Sequence, residues 1–388
     1  AWRRYIPIVH GTDEREMLTS CVWRQDETSF YRIANSDGKV WLMPACNMRV
    51  GLGLYQPSGR KGKLLKALFP YLHKVSLVRR VVKAQPVHYE LQEDLRLLLC
   101  QVFHTSDWKF SMFCGTPCVH QKITIQLFKG KHFLGYCKIS DSEEVAKLFE
   151  EETKTLRYLT KQGMMNIPRC LYCGKTEGNV AVFVQSTIKT NHSQIMHKWT
   201  DLQKQFLVNL HEKTKQKLLF ESTDFYQTLI ELKKHLDWFS NNAERTMIEK
   251  AMTSVLSYYA KKEVEFSAYH ADFTPWNMLV EDGKLFVFDW EYAKLSYPPY
   301  LDVFHFFTQI AILEQGVDDA ILIYKIYQKY KCILLGGIRI QDKAYLCYLL
   351  HIIYFYFKRN NGLFSTNDHS YRCWISLINI LLDNEKDS

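Results

Sequence analysis

The chain has 388 residues and a formal net charge of +9, with 50 Lys and Arg against 41 Asp and Glu. That length supports two or three compact units, each with its own hydrophobic core. A composition of 47% apolar and 23% charged residues excludes wholesale disorder. No run reaches the roughly 18 consecutive apolar residues of a membrane span. The nearest, 349–357, contains His351 and stops at Lys358-Arg359, so it reads as a buried helix. The eleven cysteines are scattered, and Ala1-Trp2-Arg3-Arg4 lacks the apolar stretch of a secretory signal. Reduced thiols in a cytoplasmic protein, peripheral to a membrane at most, are therefore expected. Cys170 and Cys173 form a CxxC without a second pair downstream, which reads as packed thiols rather than a zinc site.

Residues 1–105 read as an accessory segment of mixed α/β character. Between Asp37 and Glu90 there is no acidic residue, while Lys39, Arg49, Arg60, Lys61, Lys63, Lys66, Lys74, Arg79, Arg80 and Lys83 all fall there. The stretch 38–89 is thus a candidate contact for an anionic surface. Within it, 63–82 mixes leucines and cations at helical spacing, interrupted by Pro70. The expectation is a helix with one face packed on a core and its lysines in water. The alternative is a face that lies on an anionic membrane or glycan. Residues 91–102 give a second helical pattern.

From 106 to 187 the pattern is that of strands: 110–113, 122–128, 133–139, 171–173 and 180–184. The first three are short and consecutive, as in an antiparallel meander. Ser140-Asp-Ser-Glu143 has capping-box spacing and opens a helix whose apolar stripe is Val145, Leu148, Phe149, Leu156 and Leu159. From 188 to 388 the pattern is mainly helical, broken by one hairpin near residue 280. The predicted fold class is α+β and bilobal. It has a five-stranded antiparallel N-terminal lobe with one helix, a mainly helical C-terminal lobe, and the extra N-terminal segment.

The sharpest motif is His270-Ala-Asp272-Phe-Thr-Pro-Trp-Asn277. His, Asp and Asn at this spacing form the catalytic loop of kinases. The Asp accepts or orients the proton of an attacking hydroxyl, and the Asn amide oxygen helps to hold magnesium. Apolar runs 278–280 and 285–288 flank Asp282-Gly283, a two-residue hairpin signal. Pairing them about that turn sets Asn277 beside Phe288 and brings Asp289 next to Asn277. Two oxygen ligands converge there, as a hard cation requires.

These motifs, with Phe288-Asp-Trp-Glu-Tyr-Ala293 and Pro299-Tyr-Leu-Asp302-Val303, resemble those of the aminoglycoside phosphotransferase and choline kinase family over residues 108–388. The resemblance implies a protein-kinase-like fold and transfer of the γ-phosphate of ATP (or GTP), with Mg²⁺, to a small hydroxyl compound, most naturally a sugar. It implies that Asp302 braces the loop by accepting its backbone hydrogen bonds and that His270 is structural support. In such a fold Lys138, on the third strand, would hold the phosphates. Glu152 falls on the apolar stripe of the following helix, whereas Glu150 and Glu151 do not. A buried carboxylate needs a cation, which makes Lys138 its partner. Gly115 and Thr116 would face the phosphates from a turn. Gln185, Ser186 and Thr187 fall where the lobes should join, and their backbone would read the adenine. Only twelve residues run from Glu291 through Asp302, too few for a peptide-docking segment. The rival reading is a catalytically inactive nucleotide-binding module, or a binder of anionic glycan or membrane.

Overall fold

The computed structural model describes residues 29–57, 60–115, 117–118, 120–331, 341–363, 365 and 368–386. Two compact units divide the chain. One ends at Lys154 and takes in Pro168–Ser193; the other holds Thr155–Ile167 and the chain from Gln194 onward.

In the first unit, eight strands are β1 (Ser29–Ala34), β2 (Val40–Pro44), β3 (Gln85–His88), β4 (Lys109–Cys114), β5 (Ile123–Lys129), β6 (His132–Ser140), β7 (Cys170–Lys175) and β8 (Ala181–Ser186). They form one sheet in the order β3-β1-β2-β4-β5-β6-β8-β7, and all neighbouring strands pair antiparallel. The five strands expected from alternation are β4 to β8, with only their ends moved. The sheet nevertheless has eight strands rather than five, because the N-terminal segment continues it: Trp41 stands opposite Phe113, and Leu42 opposite Met112.

The cause lies in β2, which is buried along its whole length. Phe30, Val40 and Leu42 share a core with Met112, Ile125, Cys137 and Val182. Ile33, Trp41 and Met43 build a second cluster with Phe69. A strand buried on both faces reads as a plain apolar run and lacks the alternation of a half-solvated one. The β1–β2 turn is closed by Asn35, whose Oδ1 accepts from the backbone N–H groups of Asp37 and Lys39, with Gly38 in the left-handed region at φ +76°.

Helices α1 (Arg60–Leu72), α2 (Ser76–Val81) and α3 (Glu93–Phe103) belong to the same unit. α3 adds Leu95 and Leu99 to the first cluster. α4 (Glu143–Lys161) begins where the sequence places it, but its cap differs. The Ser142 Oγ accepts from the N–H of Val145 at 3.4 Å, while Glu143 reaches Lys175 Nζ at 2.8 Å. A cation on β7 thus draws away the carboxylate that the Ser140–Glu143 box would have used.

The second unit contains α5 (Asp201–Thr214), α6 (Asp224–Lys234), α7 (Asn242–Tyr259), α8 (Leu301–Gln309), α9 (Ala320–Tyr330), α10 (Asp342–Arg359) and α11 (His369–Lys386). The expected hairpin is β11 (Met278–Glu281) with β12 (Lys284–Val287). A three-stranded sheet that the sequence did not suggest joins β9 (Gln216–Leu219), β10 (Glu263–Tyr269) and β13 (Lys294–Tyr297) in the order β13-β10-β9. α10 is apolar nearly all round and buries Leu346, Leu349, Leu350, Ile352 and Ile353, as a central helix must. Trp374 and Phe239 are fully buried in the core. Among the described residues, no helix is long and apolar enough to cross a membrane.

Candidate active site

β10 ends at Tyr269, and the loop 270–274 leads into a single 3-10 turn, Pro275–Asn277. Proline at the first position of such a turn costs nothing, since that N–H has no partner within the turn anyway. The hairpin pairs Met278 with Val287 and Glu281 with Lys284. Asp282 and Gly283 take φ +48° and +71°, the two positive values of a type I′ turn. This register makes the N–H of Phe288 donate to the carbonyl of Asn277 at 3.0 Å. Asp289 follows directly, itself in the left-handed region at φ +69°. A non-glycine residue held there needs support from its surroundings. Trp290 is fully buried, donates its indole N–H to the carbonyl of Val287 at 3.0 Å, and packs on His270 and Phe206.

Both carboxylate oxygens of Asp272 are engaged. Asn277 Nδ2 donates to Oδ2 at 2.7 Å and to the Asp272 backbone carbonyl at 3.0 Å. His305 Nε2 lies 3.2 Å from Oδ1. With an acceptor opposite, that nitrogen is the one that carries the proton; His305 Nδ1 is buried without a hydrogen-bond partner among the described residues. The two contacts fix the orientation of the carboxylate. His305 was not found from sequence. The signal was present, because His305 follows Asp302 by three residues on α8 and so shares its face.

Asp302 is nearly fully buried and accepts from the N–H groups of His270 at 2.9 Å and Ala271 at 3.1 Å. Ala271 is held at φ +69°. Burial pushes the Asp302 carboxyl up to about 7, against the two N–H groups that pull it down. His270 has both ring nitrogens engaged. Nδ1 accepts from the N–H of Asp272 at 3.2 Å, and Nε2 lies 3.1 Å from the carbonyl of Phe288. Burial lowers its imidazole to about 4. It is a neutral spacer between loop and hairpin, not a base. Asn277 and Asp289 offer an amide and a carboxylate, the all-oxygen donor set of a hard divalent cation. The amide nitrogen of Asn277 is taken up by Asp272, so its oxygen is the atom available to ligate.

In the first unit, Lys138 Nζ and Glu152 Oε2 are 2.7 Å apart, with side-chain exposures of 5% and 0%. Lys138 also lies over the ring of Phe183, which packs on Phe149 of α4. Glu150 and Glu151 are exposed, as the periodicity requires. Gln121 Nε2 donates to the carbonyl of Gly115 at 2.7 Å and tightens that turn. Thr116 lies outside the described residues. The expected junction Gln185-Ser186-Thr187 straddles the end of β8. Gln185 is still in the sheet opposite Tyr136, and Ser186 opposite Gly135. The Ser186 N–H donates to the carbonyl of Arg169 at 3.0 Å. Thr187 is the first residue past the strand, and the first unit runs on to Ser193.

The fold and this loop define a phosphotransferase of protein-kinase-like fold, with an alcohol group as acceptor. Residues 136–322 match the sequence model of the phosphotransferase enzyme family APH, which shows the family resemblance carried by the motifs. The match begins within β6 and is narrower than 108–388. Among solved structures, a thermostable mutant of aminoglycoside phosphotransferase APH(4)-Ia, in ternary complex with ADP and hygromycin B, is similar at 13% identity and TM-score 0.50. The alignment covers 75% of this chain and 98% of that one. A putative fructosamine-3-kinase from Haemophilus somnus 129PT aligns at 14% identity and TM-score 0.45 over 75% and 96% of the two chains. No curated protein sequence matches the chain.

Proposed function

We propose that the chain transfers the γ-phosphate of ATP (or GTP) to a hydroxyl of a small, sugar-like acceptor, with Mg²⁺ as cofactor. One observation carries this reading: Asp272 is held at both oxygens, by Asn277 and by His305, in a loop whose backbone Asp302 anchors. The acceptor oxygen attacks the γ-phosphorus, the bond to the β,γ-bridging oxygen breaks, and the hydroxyl proton passes to Asp272. In this reading Asn277 and Asp289 hold the cation, which neutralises charge on the phosphates. Lys138, kept in place by Glu152, contacts the phosphates, with Gly115 and Thr116 on the phosphate-side turn. The backbone of Gln185-Ser186-Thr187, at the end of β8, contacts the adenine.

A small acceptor is favoured by the segment after Asp289. Lys294–Tyr297 of that segment is β13, paired to β10 with Ser267 opposite Tyr297. A stretch built into the sheet leaves no free strand for docking a peptide. ATP and GTP, each with and without Mg²⁺, should be tested by thermal shift, followed by ADP or GDP release with a panel of sugars. A folded-state ligand raises the melting temperature by mass action, so a magnesium-dependent rise is expected, and acceptor-dependent release with at least one sugar. The absence of any shift at about 100 times a micromolar-range Kd would overturn the reading and leave an inactive module.

A further inference from the structure

The first unit carries a surface that phosphotransfer does not use. Among the described residues, sixteen large apolar side chains are exposed, and seven of them fall between Leu64 and Val81. Their concentration in one short stretch calls for a cause. They are Leu64, Leu68, Tyr71, Leu72, Val75, Leu77 and Val81, from 38% to 76% exposed.

The helical phase shows that these are not core residues left uncovered. On α1, Leu65 and Phe69 form one stripe and pack into the cluster of Trp41 and Met43. Leu64, Leu68, Tyr71 and Leu72 recur at i, i+4, i+7 and i+8 and form a second stripe that faces water. α2 repeats the arrangement in miniature, with Val78 packed in the same cluster and Leu77 and Val81 outside. Each helix therefore satisfies the core with one apolar face and presents another. The expected arrangement holds, with one face on the core and Lys61, Lys63 and Lys74 in water, but an apolar strip is exposed beside those cations.

The charge is one-sided. Lys61, Lys63, Lys74, Arg80 and Lys83 are all exposed, and no acidic residue lies between Asp37 and Glu90. An apolar stripe bordered only by cations is the composition of a segment that lies in the interface of an anionic bilayer. The leucines enter the acyl boundary, and the lysines meet the headgroups.

We infer that α1 and α2 form a docking face for an anionic lipid membrane. This inference does not depend on the phosphotransfer reading, since none of these residues belongs to the site described above.

The test is co-sedimentation of the full chain with phosphatidylcholine vesicles, with and without about 30 mol% phosphatidylserine. It should be run at about 0.1 M and about 0.5 M salt. Two variants are compared with the parent: Leu68→Ser/Leu77→Ser, which removes apolar contacts, and Lys63→Glu/Arg80→Glu, which removes charge. All four positions are exposed, so unchanged melting temperatures will confirm that both variants fold. The parent should bind the anionic vesicles and not the neutral ones, and each variant should bind at least about tenfold more weakly. Absence of parental binding would overturn the proposal. Binding that is lost in the charge variant but unaltered in the apolar one would also overturn it, and would assign the face to a soluble polyanion such as an acidic glycan.

Discussion

Asp302→Asn tests the link between buried polar satisfaction and chemistry most directly. The parent carboxylate accepts from two buried N–H groups, at 2.9 and 3.1 Å. Asparagine keeps one acceptor oxygen and turns an NH₂ group on the other donor. One buried N–H then lacks an acceptor, which costs about 1–3 kcal/mol. At about 2 kcal/mol the melting temperature of a unit this size should fall by roughly 4–8 °C. Asp302→Ala orphans both donors and leaves a cavity, so its loss should be about double. Because Ala271 sits at φ +69° next to Asp272, releasing this backbone lets the carboxylate drift. A misplacement of about 1 Å is worth roughly 100-fold in turnover, measured well below the melting temperature of both proteins. The pH dependence gives an independent check. Burial raises Asp302 from 3.8 to about 7, so the folded chain keeps a proton that the unfolded chain has released. The associated stability is complete below the unfolded value and is lost as pH rises through about 7. Asparagine does not titrate there, so the stability gap between parent and variant should narrow from about pH 5 to about 8. Parental melting temperature and parental turnover in Asp302→Asn would refute the reasoning.

Three further outcomes are expected. Asp272→Asn should lower kcat by roughly 100-fold or more while leaving the nucleotide thermal shift in place, whereas Asp289→Ala should abolish the magnesium-dependent part of that shift. His305→Ala removes the donor at Asp272 Oδ1 and should lower kcat about tenfold with nucleotide affinity unchanged; His305→Gln, which keeps an N–H donor, should recover part of it. Glu152→Gln breaks the buried pair with Lys138 and should cost about 3–5 kcal/mol by denaturant titration. Lys138→Met/Glu152→Leu should regain most of that stability without regaining turnover, and an unstable double variant would show that packing rather than charge governs the pair.

The parts of the fold that were legible are those with a local period. β4, β5, β6 and β8 carry apolar residues that the meander and the following helix bury, and a turn signal such as Lys129-Gly130-Lys131 stands between two of them. β2 escaped because Val40–Pro44 is apolar on both faces, which removes the alternation that marks a strand. β9, β10 and β13 escaped for another reason. Two of the three have only four residues, and β10 finds its partners at Lys294–Tyr297 and Gln216–Leu219, far along the chain. Pairing of that kind depends on the tertiary context more than on propensity.

The site divides along the same line. Asp272, Asn277 and Asp289 are held in one local device, a 3-10 turn running into a two-residue hairpin, so their spacing and one turn rule suffice to bring them together. Lys138 and Glu152 were legible because a carboxylate on a buried stripe demands a cation, and only one lysine on the preceding strand could meet it. His305 had no such local mark, since it reaches Asp272 across 33 residues. Its position nevertheless follows from a bond that the motif already implied. If Asp302, in the first turn of α8, accepts the N–H groups of His270 and Ala271, that turn must lie directly against the loop. The residue one helical turn further on the same face is then bound to meet the next loop side chain, and that side chain belongs to Asp272. A helix anchored by one buried carboxylate thus places a second polar group without any further signal in the sequence, and the alanine and glutamine variants of His305 decide whether that placement serves turnover.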